Sequence, residues 1–411
     1  MLLRRFTGTS PNLAVMATRA LARIPVAPGP RGVQDLFAAL PDAFEGKAIA
    51  PVPVTSATVS DTYVTQILQA IRPEIALESD GAAVVLTTSG STGSPRGVLL
   101  STASLRASAQ GAAELIGIPM AESAWLVAIP VTSAGGFAVV VRSWLAGFEP
   151  ETLPSVGGAV PFRTEHFVAS TQQLAHRAKG RALLTSLVPT QLARILDDVE
   201  GRSALGEYSA ILVGGARFDG TIRERAQAAG VKVLSTYGLT ETCGGCVYDG
   251  KVFPGVDVRI APDGEVLVSG DVLAIGYRLD PTLTAQRFID GWLHTGDIGS
   301  TDEGTLSIVG RRDDIVTVKG VNVATSAVER VISAISGVDA CAVIATPHAI
   351  DGHRLTAFIV TRLDLTSTIR ATVADQLGPV AAPSMISAIT SLPVLPNGKT
   401  DRAALAARAI D

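Results

Sequence analysis

Short apolar runs alternate with amphipathic segments from about residue 82 to residue 235, and this alternation constrains the fold more than any other feature of the chain. Residues 83–87, 183–188, 210–213 and 231–235 are rich in Val, Leu, Ile and Ala and are too short for ordinary helices. Residues 191–199 lie between two of them and carry Leu192, Ile195, Leu196 and Val199 at helical spacing. Residues 222–229 read as another helix, and residues 125–131 as a buried strand that turns into a buried helix reaching Trp144. The order predicts an α/β chain with a doubly wound, largely parallel sheet. Such sheets take ligands at the carboxyl ends of their strands, so the loops there hold the candidate site.

The texture changes on either side. Residues 1–75 are rich in Pro and Ala, with helical patterns at about 13–24 and 63–71. After Gly250, residues 256–260, 264–268 and 305–309 read as short strands separated by Asp-Gly and Glu-Gly turns. A helix at 328–335 and strands at 340–345 and 355–361 then predict a small α+β unit at the end. The mean hydropathy of +0.35 raises the question of a membrane span. The two longest uncharged runs answer it. Residues 376–398 contain Pro379, Pro383, Pro393 and Pro396, and residues 123–141 contain Pro130, Gly135 and Gly136. No span is expected. Thirty-four basic against thirty-eight acidic residues give a net charge of −4, with no long run of one sign, which argues against nucleic acid as a partner. Three cysteines exclude a disulfide scaffold and point to a cytoplasmic protein. No acidic residue precedes Asp35, while Arg4, Arg5, Arg19, Arg23 and Arg31 do. Residues 1–34 are read as an ordinary leader rather than a transit peptide.

The segment Thr87-Thr88-Ser89-Gly90-Ser91-Thr92-Gly93-Ser94-Pro95-Arg96-Gly97 follows an apolar strand and is almost entirely Gly, Ser and Thr. Glycines let a backbone approach an anion closely, hydroxyls and N–H groups donate to phosphate oxygens, and Arg96 adds a permanent charge. The segment is neither a Walker A loop nor a G-x-G-x-x-G dinucleotide fingerprint.

Four more segments follow in order: Tyr237-Gly238-Leu239-Thr240-Glu241-Thr242, Thr295-Gly296-Asp297, Gly310-Arg311-Arg312-Asp313, and Leu395-Pro396-Asn397-Gly398-Lys399-Thr400-Asp401-Arg402. With the glycine-rich loop, the set resembles the adenylate-forming superfamily of acyl-CoA synthetases, adenylation domains and luciferases, over about residues 83–402. The resemblance implies a large N-terminal domain of doubly wound sheets plus a β subdomain, residues 1–312, with 1–75 a trimmed leader region and about 250–312 β-rich. It implies a mobile α+β lid, residues 313–411, that turns about a hinge at Asp313. ATP, Mg²⁺ and CoA as co-substrate are then expected.

The family roles carry over to matching residues only. Thr88, Ser89, Gly90, Ser91, Thr92, Gly93 and Arg96 would hold phosphates. Glu241, a hard oxygen ligand, would hold Mg²⁺ with Thr88. Tyr237 would stack on adenine against Gly214, Gly215 and Ala216, with Gly238 and Thr240 beside it. Asp297 would accept the ribose hydroxyls and Arg311 would donate to the same ribose. Lys399, Glu241 and Arg96 would be catalytic, Lys399 as an ammonium bridging carboxylate and α-phosphate.

Residues 185–196 and 237–250 further resemble the o-succinylbenzoate–CoA ligase branch, actinobacterial members included, and the short region before the phosphate loop fits that branch. The small-molecule acid would then be 2-succinylbenzoate, in a pocket drawn from Ser186, Pro189, Thr132, Ser133, Cys243, Gly244 and Gly245. Redox or zinc chemistry at Cys243-Gly244-Gly245-Cys246 is the competing reading, and no second ligand pair stands at metal spacing. Two departures stand out. Residues 126–136 carry small side chains where many relatives have an aromatic or His, and Asn322 replaces an Arg that some acyl-CoA synthetases place on the phosphate. Another aryl- or acyl-CoA ligase, an enzyme loading a carrier protein, and a nucleotide-binding regulator without catalysis stay as alternatives. Monomer and homodimer both stay open. Lys399→Ala is expected to slow acyl-adenylate formation by about 10²–10³-fold, read as pyrophosphate release; an unchanged rate would remove Lys399 from catalysis.

Overall fold

The computed structural model describes residues 19–410 apart from 57, 89–94, 159, 216–217, 219 and 395–399. The central element is a seven-stranded sheet in the order Lys251–Val252, Gly244–Tyr248, Val233–Leu239, Tyr208–Val213, Ala182–Leu187, Ser123–Val127, Glu151–Thr152. The strands from Val233–Leu239 through Glu151–Thr152 pair in parallel. Their crossovers are helices, among them Ala134–Leu145, Thr164–Ala178, Pro189–Asp197 and Gly220–Ala228. Burial on both faces explains the near-continuous apolar runs: Leu126, Val127, Ile211 and Val213 are all buried in the main core. Removing each such side chain from water stabilises the fold by about 1.5–3 kcal/mol.

A five-stranded sheet lies alongside, in the order Ala22–Val26, Ile49–Pro53, Ala82–Thr87, Gly97–Ser101, Gly276–Tyr277. The phosphate-type loop joins its third and fourth strands as an antiparallel hairpin, with Thr87 opposite Gly97. The region after Gly250 supplies a third sheet, Val256–Ile260, Glu265–Gly270, Trp292–Asp302 and Phe288–Ile289, with Thr305–Arg311 paired to Trp292–Asp302. A fourth sheet, Val321–Ala324, Ile315–Val318, Gly352–Val360 and Ala340–His348, carries the helices Thr325–Ser333 and Thr366–Leu377 around its own core of Val328, Ile332, Val343, Ile359 and Ile369. The fold is thus mixed α/β, with a large N-terminal part and a small C-terminal α+β part. Among the described residues no helix is long and apolar enough to cross a membrane.

Three expectations are corrected. The helical pattern at 13–24 ends in a strand, since Ala22–Val26 pairs in parallel with Ile49–Pro53, and residues 13–18 lie outside the described ones. Pro25 is tolerated there because the strand is an edge. The helix at 191–199 stops at Asp197, where Asp198 turns extended and its carboxylate accepts from the Gly201 N–H at 2.6 Å, capping a new helix. Val199 therefore faces water, 71% exposed, rather than the core. The strand read at 231–235 runs Val233–Leu239, which places Tyr237 and Gly238 within the sheet.

One buried cation ties the first sheet together. Arg278 is 4% exposed and donates from Nε to the Ile71 carbonyl at 2.9 Å and from its terminal nitrogens to the carbonyls of Arg72 and Ala76, each at 3.0 Å, and to Glu78. These carbonyls close the C-terminal end of the helix Asp61–Ile71 and the turn after it. Its backbone N–H also donates to the Gly97 carbonyl at 2.8 Å. Arg278→Leu leaves several buried acceptors unpaired and is expected to lower unfolding stability by about 3 kcal/mol. A urea midpoint unchanged from wild type would contradict that role.

Candidate active site

Tyr237 lies near the end of the strand Val233–Leu239, where the parallel strands deliver their loops. Its hydroxyl donates to Asp297 Oδ2 at 2.8 Å. Asp297 stands on the strand Trp292–Asp302, whose alternation turns Leu293, Thr295 and Asp297 inward. Asp297 lies directly opposite Arg311 in the antiparallel register, which brings Arg311 Nε to 3.8 Å from Oδ1. That Nε is buried without a hydrogen-bond partner among the described residues. Asp297, Arg311 and Tyr237 therefore form one cluster, and a donor is left over for a ligand oxygen. Burial pushes the Tyr237 phenol well above its ordinary value, and the neighbouring Asp297 charge pushes it further, so it remains a donor. Burial also raises the Asp297 carboxyl, against the opposing pull of Arg311 and Tyr237.

Glu241 sits one short turn beyond the same strand, in the 3₁₀ segment Thr240–Thr242. Thr242 fixes the turn by accepting from the Leu239 N–H at 2.8 Å. The Glu241 side chain is 7% exposed, and its Oε1 accepts from the Tyr277 hydroxyl at 2.6 Å. Its carbonyl accepts from Ala274 N–H at 2.8 Å. Glycines make the approach of these strands possible. A Cβ on Gly238 would fall 1.9 Å from the Gly244 carbonyl oxygen, and one on Gly214 would fall 2.1 Å from Thr236 Oγ1. Gly215, at φ 77°, carries the chain away from the strand end.

At the base of the phosphate-type loop, Thr88 N–H donates to the Arg96 carbonyl at 2.8 Å, and Arg96 N–H donates to Thr88 Oγ1 at 3.3 Å. Ser89, Gly90, Ser91, Thr92, Gly93, Ala216 and Lys399 lie outside the described residues. On either side of the Lys399 segment, Val394 bridges Thr400, and Asp401 N–H donates to Pro393. Asp313 falls in the short turn Arg312–Asp314, between the third and fourth sheets.

The pocket candidates are more dispersed. Ser186 is buried at 8% exposure near the end of Ala182–Leu187, and Pro189 opens the next helix. Ser133 is occupied as a helix cap, donating to the Pro130 carbonyl at 2.6 Å and accepting from Gly136 N–H at 3.4 Å. Thr132 lines an apolar cleft with Val54, Tyr63 and Val131. Cys243 and Cys246 are buried in the main core, and burial pushes both thiols up to about 12. They pack as small neutral groups, Gly244 lies buried between them, and Gly245 is only half-buried.

Sequence reading did not find Tyr277 or Arg287. Tyr277 meets Glu241 across 36 residues, and Arg287 reaches the Thr295 carbonyl at 2.7 Å. No local period marks either. A second network was also missed: Glu265 accepts from Gly296 N–H at 2.8 Å, meets His294 Nδ1 at 3.1 Å and lies 3.4 Å from Arg312, which bonds Asp263 at 2.8 Å.

Residues 33–278 match the family of AMP-binding enzymes, and residues 327–399 match the C-terminal domain of AMP-binding enzymes. The chain belongs to this family of AMP-binding enzymes. It is similar to a probable 2-succinylbenzoate–CoA ligase of Mycobacterium tuberculosis, with 38% identity over 336 residues, 80% of this chain and 85% of that one. A 2-succinylbenzoate–CoA ligase of Listeria innocua is 30% identical over 78% of this chain and 68% of its own length. In fold it is similar to the o-succinylbenzoate CoA synthetase of Bacillus subtilis solved with the acyl-adenylate intermediate OSB-AMP, at a TM-score of 0.74 and 20% identity over 94% of this chain and 88% of that one. ATP-bound MatB from Rhodopseudomonas palustris gives a TM-score of 0.78 at 21% identity, covering 96% of this chain and 90% of that one.

The raised carboxyl of Asp297 sets a pH dependence. A folded-state pKa above the ordinary 3.8 means that the folded chain holds the proton longer than the unfolded one. This contribution to stability is full below 3.8 and is lost as pH rises through the raised value. Asp297→Asn removes it, so the variant should gain on wild type as pH rises toward neutrality, measured by urea unfolding across pH. A variant that loses ground over that interval would contradict the assignment.

Proposed function

We propose that the chain is an ATP-dependent acid–thiol ligase that converts 2-succinylbenzoate, ATP and CoA into 2-succinylbenzoyl-CoA, AMP and diphosphate through an acyl-adenylate. The observation that carries the substrate is the 38% identity to a probable 2-succinylbenzoate–CoA ligase over 80% of this chain. The site chemistry supports the same reading. A carboxylate oxygen of the acid attacks the α-phosphorus of ATP, and diphosphate leaves with the electron pair. The thiol sulfur of CoA then attacks the acyl carbon, its proton is lost, and AMP leaves.

Tyr237 is assigned the face that stacks on adenine, with Gly214 and Gly215 allowing close approach from the other side. Asp297, held by Tyr237 and Arg311, is assigned the ribose hydroxyls. Glu241, buried and oriented by Tyr277, and Thr88 would hold Mg²⁺, which when bound neutralises triphosphate charge. Arg96 and the hydroxyls beside it serve the phosphates. Lys399 is assigned the charge that develops between acid and α-phosphate. The two bodies are residues 1–312 and 313–411, turning about Asp313, so that Lys399 engages during adenylation and withdraws for thioester formation. The acid pocket is drawn from Thr132, Ser133, Ser186, Pro189 and the Cys243-Gly244-Gly245 turn. The enzyme is proposed to work in the cytoplasm on small molecules, without nucleic acid.

A panel of acids decides the substrate. With ATP and CoA supplied, release of AMP and acyl-CoA is expected to be fastest with 2-succinylbenzoate. Higher kcat/KM with plain benzoates or fatty acids would replace the proposed acid, and turnover only with a carrier-protein thiol would replace CoA.

A further inference from the structure

Arg287 is the last residue of the helix Pro281–Arg287, and none of the sequence motifs includes it. Its Nη2 donates to the Thr295 carbonyl at 2.7 Å, and its charge acts on Tyr277, the phenol that donates to Glu241. A Cβ on Gly296 would stand 3.2 Å from Arg287 Nη1 and 3.5 Å from Arg311 Nη2. Two guanidinium groups thus converge on one glycine. In both, Nε is buried and has no hydrogen-bond partner among the described residues. Two carboxylates lie nearby and are already engaged: Asp297, 3.8 Å from Arg311, accepts from Tyr237, and Glu265 accepts from the Gly296 N–H at 2.8 Å and faces His294 and Arg312.

Arg287 and Arg311 thus bring two permanent positive charges to one partly desolvated spot, and the Nε of each is left without a partner among the described residues. Like charges repel strongly there unless an anion lies between them. Gly296, at φ 73° and with no side chain, leaves the intervening space open. The position is informative as well. On one side is the strand of Asp297, assigned to the ribose. On the other is Tyr277, which orients Glu241, assigned to the metal. The phosphates of a nucleotide run between its ribose and its metal. Asn322, by contrast, is an uncharged amide 3.2 Å from Thr317 Oγ1 and offers no charge.

We propose that Arg287 is a second guanidinium of the nucleotide site and that, beside the ribose-assigned Arg311, it holds the phosphate next to the ribose. A guanidinium fork suits this, since it can give two parallel N–H bonds to phosphate oxygens. The proposal rests on the nucleotide-binding reading and adds to it a residue with a stated ligand group.

Calorimetric titration of the full chain with AMP and with adenosine separates phosphate recognition from ribose and base recognition. Arg287→Gln is expected to weaken AMP binding by about tenfold or more and to leave adenosine within about twofold. Arg287→Lys, which keeps the charge without the fork, should weaken AMP by a smaller factor, and it decides alone if the Gln variant does not fold. Equal weakening of AMP and adenosine, or no change in AMP for either variant, would overturn the proposal. Wild-type protein that binds neither compound would overturn the nucleotide reading beneath it.

Discussion

The hydrogen bond from Tyr237 to Asp297 joins two sheets that share no strand. Its donor belongs to the central parallel sheet and its acceptor to the β-rich sheet that follows. Both groups are largely out of water, and burial raises both above their ordinary values, so the phenol keeps its proton and the carboxyl needs its donors. The contact cannot be removed from one side alone without stranding a buried polar group on the other. Tyr277 and Glu241 repeat the arrangement between the first sheet and the central one. These two phenol–carboxylate contacts bring three sheets to a single place, at the end where parallel strands leave their loops open.

Charge completes the site. The chain is nearly neutral, but its cations are placed locally. Arg311 lies opposite Asp297 by strand register, Arg287 arrives from a helix end, and Arg96 closes the loop hairpin. A nucleotide needs only a few such charges in the right positions, and net charge reports nothing about them. Arg278 serves a different purpose. Its guanidinium is consumed by backbone carbonyls and so supports the hairpin without facing a ligand.

The parts of the fold written in local pattern were legible. Parallel strands buried on both faces read as apolar runs, and the glycine-rich loop, Tyr237-Gly238, Asp297 and Arg311 stand in recognisable segments. The helix at 191–199 was misjudged because an Asp cap, not hydrophobic period, ends it. The edge strand at Ala22–Val26 was misread because the helical spacing of the apolar residues before it, at 13–21, runs on into it. Tyr277 and Arg287 were invisible for a different reason: each acts across tertiary contacts, and a Tyr after a Gly or an Arg at a helix end carries no signature of its partner. The cysteine turn tempted a chemical reading, and the fold places both thiols in the core as packing.

The central claim is that this site activates an acid as its adenylate before any thiol takes part. Exchange of labelled diphosphate into ATP, measured with 2-succinylbenzoate and no CoA, tests it most directly. The account predicts exchange that depends on the acid and proceeds without CoA. Exchange that requires CoA, or acid-dependent ATP cleavage that yields ADP and phosphate in place of AMP and diphosphate, would contradict it.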